Sequence, residues 1–380
     1  MAKTAKLLQN GYMVKEGSNV KNWKKRWFDF MSDGVLNYYT NRQETCQKGS
    51  LDLTHATQVI KNNTKKLMLE VTFDTQRVFR LRFDDESVED RWFKCFTEYI
   101  DDRKTYLRTG FSIYDPVHLD SFTFSDSIGA TEKGQVQNVK MITTQRCYSL
   151  KTLRQAALND FEKMETMKIH ESLRATDSAF VIQTLSIFVE ENLYFVMTSY
   201  PSKRLADVMN KSILPVPRIK FYATEILLAL NALKQCNYVH REINPETIFI
   251  GDDGHVLVST PIGLNLTYKS GINYVAPEII QKKSSSFSCD FWSLGIILFS
   301  MAFGDSPFFD TNPDIVAKKI MNEPVNFPYN TFPEVESFIA EMLEKDPTKR
   351  ACEYEILKKR PIFIGISFEK FIKKEISVSN

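Results

Sequence analysis

The sequence lacks the features that mark secreted, disulfide-stapled and membrane-spanning chains. Its six cysteines lie far apart and show no paired spacing, which argues against a zinc site or a disulfide framework and indicates ordinary thiols in a reducing compartment. The N-terminus has no apolar signal-peptide core, and the longest apolar helical stretch, near residues 294–303, is too short to span a bilayer. We therefore expect a soluble, cytoplasmic protein.

Low-complexity tracts and a strong net charge are absent as well. With 380 residues, of which 43% are hydrophobic, the chain can bury more than one core and should contain two or three domains. The net charge is only +2, but residues 1–104 carry 19 Lys and Arg against 15 Asp and Glu, whereas the remainder carries 30 against 32. The positive excess therefore lies in the N-terminal part. We expect no nucleic-acid partner.

Short alternating stretches dominate the N-terminal part. Strand patterns occur at residues 11–15, 26–30, 35–39, 49–53, 67–73 and 78–83. A helical pattern follows at residues 87–100, in which apolar side chains recur every four residues and form one stripe: Val88, Trp92, Phe96 and Ile100. Strands closed by a single helix predict a small capped β-barrel.

Basic side chains crowd the first two of these strands. Because side chains alternate along a strand, Lys24 and Arg26 share one face. Trp23, Lys25 and Trp27 take the other face. A cluster of lysine and arginine suits phosphate groups, and each basic residue contributes roughly 1 kcal/mol near an anionic leaflet. The pattern indicates a site for anionic headgroups.

Residues 8–104 resemble a pleckstrin homology (PH) domain. The resemblance rests on Gly11 followed by Lys15, on the basic-aromatic strand at residues 23–28, and on Trp92 in the closing helix. It implies four contacts to phosphoinositide headgroups of a membrane: Lys15, Lys24, Arg26 and Lys48. Many members of the family do not bind lipid tightly, so a solvated basic face on a protein-binding domain is the alternative.

A second pattern, from residue 120 onward, resembles a protein kinase domain. Gly129, Gly134 and Val136 match its glycine-rich loop, whose backbone amides close over phosphates. Thr131 takes the place of the middle glycine. Taken alone, two glycines near a valine indicate no more than a hairpin turn. However, Lys151 follows on a strand that resembles the one carrying the phosphate-contacting lysine of the family.

The resemblance implies further residues of a site for ATP. Glu165 lies on a helix predicted over residues 153–170 and fits the acidic partner of Lys151, with Glu162 as the alternative. Met197 ends a buried strand and corresponds to the gatekeeper of the adenine pocket. An ion pair between Lys151 and a glutamate can also be purely structural, since it holds a helix against a sheet.

The catalytic loop keeps the frame of the family but not its working residues. His240 and Arg241 match the family pattern. Glu242 stands where an Asp accepts the substrate proton, and Thr247 stands where an Asn holds Mg²⁺. Pro261 occupies the place of the Asp that binds Mg²⁺ through carboxylate oxygens. We therefore predict no metal site, and weak ATP binding to which Mg²⁺ adds little.

Scaffold landmarks of the family are retained downstream. The resemblance implies that Glu278 pairs with Arg350 and that Asp290 anchors the backbone of the catalytic loop. The whole pattern is most similar to AGC-type serine/threonine protein kinases such as protein kinase B. It implies a multidomain α+β protein in which a PH-type β-barrel, capped by a C-terminal helix, precedes a bilobal protein-kinase fold.

The predicted domain layout follows from these two resemblances and from a stretch between them without periodicity. The parts are a PH domain at residues 8–104, a linker at 105–119, an N-lobe at 120–200, a C-lobe at 201–365 and a short tail at 366–380. The two lobes form one kinase-like domain at residues 120–365.

The sequence predicts a phosphoinositide-recruited signalling protein whose kinase-like domain is catalytically impaired and acts as a scaffold or allosteric partner of an unidentified protein. An active serine/threonine kinase that uses Glu242 is the first alternative. An adaptor that works through its PH domain alone, with an inert second domain, is the other. We expect peripheral recruitment from the cytoplasm to a membrane.

Overall fold

The computed structural model describes residues 5–17, 22–44, 46–174, 176–210, 212–259, 271–328 and 332–377. It divides into two compact units, Met1–Pro116 and Val117–Asn380. Within the described residues, no helix combines the length and the apolar character needed to cross a membrane.

The first unit contains one antiparallel sheet and one long helix. Its strands are β1 (Leu7–Glu16), β2 (Trp23–Met31), β3 (Val35–Tyr39), β4 (Gly49–Asp52), β5 (Ala56–Lys61), β6 (Met68–Phe73) and β7 (Val78–Arg82). They pair in the order β4-β3-β2-β1-β7-β6-β5. The helix is α1 (Glu86–Thr109). Sheet and helix enclose one apolar core, as the sequence predicted for a capped barrel.

Local chemistry fixes both ends of α1. The side chain of Asp85 accepts hydrogen bonds from the first free backbone N–H groups, and Gly110 ends the helix in the left-handed conformation at φ 82°. The apolar stripe faces the core, where Phe96 packs edge-on against Phe30 at 5.2 Å between ring centroids. The helix continues to Thr109, so residues 105–109 are helical and not part of a linker. No helix breaker occurs before Gly110.

The small lobe of the second unit is a five-stranded sheet with one helix. Its elements are β8 (Phe122–Ala130), β9 (Gly134–Met141), β10 (Cys147–Leu153), α2 (Asp160–Arg174), β11 (Thr184–Val189) and β12 (Leu193–Met197). The strand order is β11-β12-β10-β9-β8, so β10 lies in the middle. Strand β10 is therefore flanked by a strand on each side, and its residues 148–151 are buried.

The large lobe is mostly helical. Its elements are β13 (Lys203–Arg204), α3 (Leu205–Met209), α4 (Val216–Gln235), β14 (Ile248–Ile250), β15 (Val256–Val258), α5 (Pro277–Ile280), α6 (Ser288–Phe303), α7 (Pro313–Asn322), α8 (Pro333–Met342), α9 (Tyr354–Leu357) and α10 (Phe368–Ile372). Helices α4 and α6 are buried along almost their whole length and form the centre of this lobe. The loop between α4 and β14 is held against α6, which positions the site described next.

Candidate functional site

The catalytic loop, residues 240–247, is anchored by one buried carboxylate. Asp290, near the start of α6, accepts the backbone N–H of His240 at 2.8 Å and that of Arg241 at 2.7 Å. Arg241 has a φ of 68°, a left-handed conformation that this double hydrogen bond helps to maintain. Burial raises the pKa of Asp290 to about 6, and the two backbone hydrogen bonds act in the opposite direction. The frame of the loop is thus rigidly built.

His240 serves the loop as a neutral, structural side chain. Its Nε2 lies 2.6 Å from the carbonyl of Ser259, and its Nδ1 lies 3.2 Å from the backbone N–H of Glu242. Burial lowers the pKa of His240 to about 4. The neutral ring therefore donates from Nε2 and accepts at Nδ1, which ties the loop to the segment after β15.

The side chains of Thr247 and Asn244 form hydrogen bonds within the loop itself. The Thr247 hydroxyl donates to the carbonyl of Glu242 at 2.8 Å, and the Asn244 amide donates to the same carbonyl at 2.9 Å. The Asn244 side-chain oxygen accepts the backbone N–H of Glu246 at 2.8 Å. A hydroxyl engaged in this way is a poor substitute for the carboxamide that the family offers to Mg²⁺ at this position.

The metal-binding half of the predicted site has no replacement among the described residues. In that part of the chain, no group of three or more His, Cys, Asp or Glu side chains is arranged to hold a metal ion. Pro261, predicted to replace the second metal ligand, lies outside the described residues. Of the two predicted metal positions, the structure therefore describes only Thr247, which carries a hydroxyl where the family offers a carboxamide.

Lys151 lies in the middle of the small-lobe sheet, where β10 places it opposite Val136 of β9. Its side chain is only 4% exposed. Burial lowers the pKa of Lys151 to about 7, and the charge of Glu242 acts in the opposite direction. Burial likewise raises the pKa of Glu242 to about 7, opposed by Lys151. The two groups sense each other's charge across the site.

The structure places His170, not Glu165, against Lys151. The Lys151 ammonium is 3.3 Å from Nε2 of His170. His170 is fully buried, its Nδ1 is 2.7 Å from the hydroxyl of Thr184, and its ring stacks on Phe195 at 3.9 Å between centroids. Burial, followed by the charge of Lys151, holds the pKa of His170 well below its ordinary value. The side chain that the structure describes against this ammonium is thus a neutral ring.

The face that α2 turns inward explains why Glu165 does not pair with Lys151. The helix begins at Asp160, later than predicted, and its inward face carries Thr166, His170 and Leu173 at helical spacing. Glu165 lies beside this face and is half-buried. That spacing of small and apolar residues was the signal in the sequence that could have identified His170.

Glu162, the alternative partner, is engaged at the start of α2. Its backbone N–H and carboxylate exchange hydrogen bonds with Asn159 at 2.9 and 3.1 Å, which caps the helix. The same carboxylate pairs with Lys133 at 2.5 Å. Glu162 therefore ties the helix to the tip of the β8–β9 hairpin instead of approaching Lys151.

The predicted glycine-rich loop is this β8–β9 hairpin. Gly129 lies in β8 opposite Val136, and Thr131 and Gly134 pair across the tip at 2.7 Å. A Cβ atom at Gly134 would lie 2.3 Å from the carbonyl of Thr152 in the neighbouring strand. The close approach of two strands requires this glycine, whatever role it has toward phosphate.

The predicted adenine cleft is lined by buried side chains that pack against one another. Val136, Met197, Tyr200 and Phe249 are 1%, 0%, 6% and 5% exposed and belong to one apolar cluster. Tyr200 meets Phe249 edge-on at 5.0 Å between ring centroids. The backbone N–H of Tyr200 donates to the hydroxyl of Ser149 at 3.0 Å. Apolar, mutually packed side chains therefore line the predicted adenine cleft.

Sequence reasoning missed three residues at this cleft. Ser149, Tyr200 and Phe249 were not among the predicted site residues, although Ser149 lies two residues before Lys151 and Tyr200 three after Met197. Ser149 lies directly opposite Met197 in the β10–β12 ladder. Only the pairing of the strands shows that the serine reaches the backbone after β12, so no local signal in the sequence revealed it.

The predicted headgroup residues of the first unit share one face of the sheet. Lys15 and Lys24 lie directly opposite each other in the β1–β2 ladder, and Arg26 is opposite the core residue Met13. All three side chains follow the inward alternation that Phe28 continues into the core. They therefore form one basic group near the end of β1 and the start of β2. The ammonium of Lys15 rests over a ring of β3, 4.2 Å from the centroid.

Lys48 joins this basic group through a shared neighbour. Its ammonium lies 3.8 Å from the carboxylate of Glu44. Hydrogen bonds from Thr40 lower the pKa of Glu44, and the charges of Lys48 and Arg26 lower it further. Glu44 thus senses both cations, and an anionic headgroup at this position competes with an exposed carboxylate that is easily displaced.

The scaffold pair of the large lobe is buried and doubly hydrogen-bonded. Arg350 donates to the two carboxylate oxygens of Glu278 at 2.7 and 2.9 Å, and it also donates to the carbonyl of Ser288 at 2.9 Å. Arg350 and Glu278 are each 3% exposed. Such a pair fixes α5 relative to α6, since breaking it would leave a buried charge uncompensated.

Comparisons with known proteins match both units. The model of the protein kinase domain matches residues 122–362, and that of the PH domain matches residues 7–101. A RAC family serine/threonine-protein kinase homolog of Dictyostelium discoideum is 27% identical over 388 residues, which cover 98% of this chain and 87% of the relative.

Two further relatives share part of their length with this chain. Serine/threonine-protein kinase sck2 of Schizosaccharomyces pombe is 31% identical over 278 residues, covering 68% of this chain and 43% of the relative. Serine/threonine-protein kinase sgk-1 of Caenorhabditis elegans is 26% identical over 293 residues, covering 73% and 63%. The chain therefore spans about half of these two relatives.

Proposed function

Because the chain belongs to the protein kinase family and carries a PH domain ahead of its kinase domain, we propose that it is a membrane-recruited signalling protein whose kinase domain is catalytically impaired and acts as a scaffold or allosteric partner. The single observation that carries the proposal is the closed catalytic loop. Thr247 and Asn244 both donate to the Glu242 carbonyl, so both side chains are engaged within the loop.

Phosphoryl transfer depends on neutralising the charge that develops on the transferred group. Without the two metal ligands the barrier rises by several kcal/mol, and each 1.36 kcal/mol is about a tenfold loss in rate. Glu242 keeps a carboxylate at the position of the catalytic base, but positioning a hydroxyl does not replace the missing positive charge. Loss of the metal clamps therefore outweighs retention of a base.

Nucleotide binding is proposed to be weak for two independent reasons. Tyr200 and Phe249 pack against each other at the predicted cleft, and we propose that a nucleotide binds only the fraction of molecules in which these rings have moved. In addition, Lys151 has a pKa of about 7 and a neutral partner, so only part of the population carries the charge that attracts phosphate. Mg²⁺ adds little affinity because its ligands are missing.

Recruitment is assigned to the PH domain. Lys15, Lys24, Arg26 and Lys48 are proposed to bind phosphoinositide headgroups, supported by the register that places the first three on one face. Each such contact is worth roughly 1 kcal/mol at an anionic surface and is screened by salt. A protein-binding role for the same basic group remains the competing function, and vesicle binding separates the two.

The experiment that tests the nucleotide part is titration of the full chain with ATP, with and without Mg²⁺. We expect weak binding, a gain of less than tenfold from Mg²⁺, and loss of binding in Lys151→Met. A tenfold gain corresponds to about 1.4 kcal/mol and would show that a metal site exists. Unaltered binding in Lys151→Met would show that the pocket is assigned wrongly.

One observation favours a second candidate function, that of an unconventional active kinase. Burial brings the pKa of Glu242 to about 7, close to the value at which a general base works best. In this alternative Glu242 accepts the proton of a serine or threonine hydroxyl. A phosphotransfer assay separates the two functions, because only the alternative predicts turnover by the unmodified chain.

A further inference from the structure

The outer side of the PH sheet carries aromatic rings and cations that the headgroup site does not use. We call this surface the aromatic–basic face; it consists of Tyr12, Trp23, Lys25, Trp27, Arg42 and Arg82. On β2, residues of the aromatic–basic face alternate with Lys24 and Arg26. The face therefore lies on the opposite side of the sheet from the predicted headgroup residues.

Rings and cations on this face contact one another directly. Tyr12 and Trp27 meet edge-to-face at 5.0 Å between centroids, and the guanidinium of Arg42 lies 5.5 Å from the Trp27 ring. The backbone N–H of Arg42 donates to the Tyr12 hydroxyl at 3.3 Å. The guanidinium of Arg82 lies 5.2 Å from the Trp23 ring. Each guanidinium thus lies over the ring of a tryptophan.

The positive charges of this face are accessible. Arg42 and Arg82 are exposed, and neither forms an ion pair with any carboxylate that the structure describes. Lys25 pairs with Asp84 at 2.6 Å, but the two side chains are 56% and 70% exposed. An exposed pair of this kind contributes little and can exchange its carboxylate for a lipid phosphate.

Half-buried tryptophan and tyrosine rings beside arginine and lysine match the chemistry of a bilayer surface. Aromatic rings with a polar edge prefer the interfacial zone, and arginine and lysine bind the anionic phosphates at the same depth. Tyr12 is 43% exposed, so its ring offers aromatic surface for such contact. A bilayer also supplies phosphates without fixed geometry, which suits exposed arginines that form no ion pair among the described residues.

We propose that the aromatic–basic face lies in the interfacial zone of an anionic lipid bilayer, as a second membrane contact on the other side of the sheet from the headgroup residues. The proposal rests on the proposed membrane recruitment, but it requires only acidic lipid and not a phosphoinositide.

Tryptophan fluorescence of the full chain provides a selective readout. The chain has four tryptophans, and Trp92 and Trp292 are 0% exposed. Quenching by brominated acyl chains therefore reports on Trp23 and Trp27. Vesicles of phosphatidylcholine and phosphatidylserine, without phosphoinositide, should quench this emission when the protein binds. Unchanged emission of vesicle-bound protein would overturn the proposal.

Variants that remove arginine charges provide a second test of the proposal. Arg42→Gln/Arg82→Gln should weaken binding to phosphatidylserine vesicles about fivefold per arginine, the factor equivalent to ~1 kcal/mol for each basic residue. The control, Arg77→Gln/Arg91→Gln, removes the same charge from exposed positions elsewhere on the domain and should bind as the wild type does. Equal losses in both double variants would show a diffuse charge effect and overturn the proposal.

The headgroup variant separates this inference from the proposed recruitment. Lys24→Ala/Arg26→Ala should lose the gain from added phosphoinositide yet keep tryptophan quenching on phosphatidylserine vesicles at saturating lipid. If added phosphoinositide gives no gain in the wild type while quenching persists, the headgroup assignment fails and the aromatic–basic face stands. If the wild type binds neither kind of vesicle, both fail.

Discussion

The ammonium of Lys151 faces the neutral ring of His170 at 3.3 Å, where a protein kinase of this fold is expected to supply a carboxylate. A neutral ring accepts a hydrogen bond but supplies no opposite charge. Burial, opposed only in part by the charge of Glu242, therefore brings the pKa of Lys151 to about 7. The lysine that should attract phosphate is thus only partly charged near neutral pH.

Replacing this ring by a carboxylate should strengthen nucleotide binding. In His170→Glu an opposite charge within about 4 Å raises the pKa of Lys151 by roughly 1–3 units. At pH 8 a lysine of pKa about 7 is about one-tenth protonated. Full protonation therefore predicts a gain in ATP affinity of up to about tenfold, measured by titration calorimetry at pH 8.

The matched control is His170→Gln, which keeps a polar side chain and adds no charge. It should bind ATP as weakly as the wild type, and both variants should retain the cooperative unfolding of the wild type. Equal affinities for His170→Glu and His170→Gln at pH 8 would show that the charge of Lys151 does not limit binding.

The buried pair of Lys151 and Glu242 should shape the pH dependence of stability. Glu242 has a raised pKa, so its contribution is present below its unfolded value of 4.5 and is lost as the pH rises through about 7. Lys151 has a lowered pKa, so its contribution is present above 10.5 and is lost as the pH falls through about 7. Together they make their smallest contribution near pH 7.

Thermal unfolding of variants between pH 5 and pH 10 measures this effect. Relative to the wild type, Glu242→Gln should flatten the fall in stability between about pH 4.5 and 7, and Lys151→Met should flatten the rise between about 7 and 10.5. Because each is a difference from the wild type, other titrating groups cancel. A wild-type pH profile in both variants would refute the assigned pKa shifts.

Loss of the headgroup site should weaken binding to vesicles that contain phosphoinositide. Lys24→Ala/Arg26→Ala removes two adjacent cations of one strand face, and we expect about fivefold weaker sedimentation with phosphoinositide vesicles for each. High salt should weaken the wild type in the same direction. The control Lys94→Ala/Lys104→Ala removes equal charge from α1, where both lysines are exposed. Undiminished pelleting of the first variant contradicts the assignment.

The scaffold of the site was predictable because it depends on residues whose roles are set by local pattern. Asp290 and the pair of Glu278 with Arg350 lie in conspicuous motifs, and the structure shows each in the contact that the family resemblance implies. Lys151 follows from a strand pattern in the same way. Such positions are identifiable since a buried charge needs a specific, fixed partner.

The partner of Lys151 was not predictable with the same means. The helix was expected to begin near residue 153, but α2 begins at Asp160 and buries Thr166, His170 and Leu173. Chemical expectation favoured an acidic residue over a histidine further along the helix. Which face of a helix is buried is decided by its packing against the sheet, and local spacing alone did not show that this face is the one with His170.

Repair of the chemistry should require more than one substitution. Glu242→Asp alone restores the shape of the base but leaves the transferred phosphate without metal ions, so we expect no turnover. The combination Glu242→Asp, Thr247→Asn and Pro261→Asp restores all three positions and should give detectable phosphorylation of a generic serine/threonine peptide. Because Thr247 also holds the Glu242 carbonyl, folding of each variant is checked by thermal unfolding. Full turnover in Glu242→Asp would contradict the expectation that the base alone is not sufficient.

The most direct test of the account is a phosphotransfer assay of the unmodified full chain with ATP, Mg²⁺ and a generic serine/threonine substrate, run beside Lys151→Met. A catalytic loop whose Thr247 and Asn244 are engaged with its own backbone should give no transfer above the Lys151→Met background. Robust transfer by the wild type that Lys151→Met abolishes would contradict the impaired-kinase account and establish an active kinase that uses Glu242.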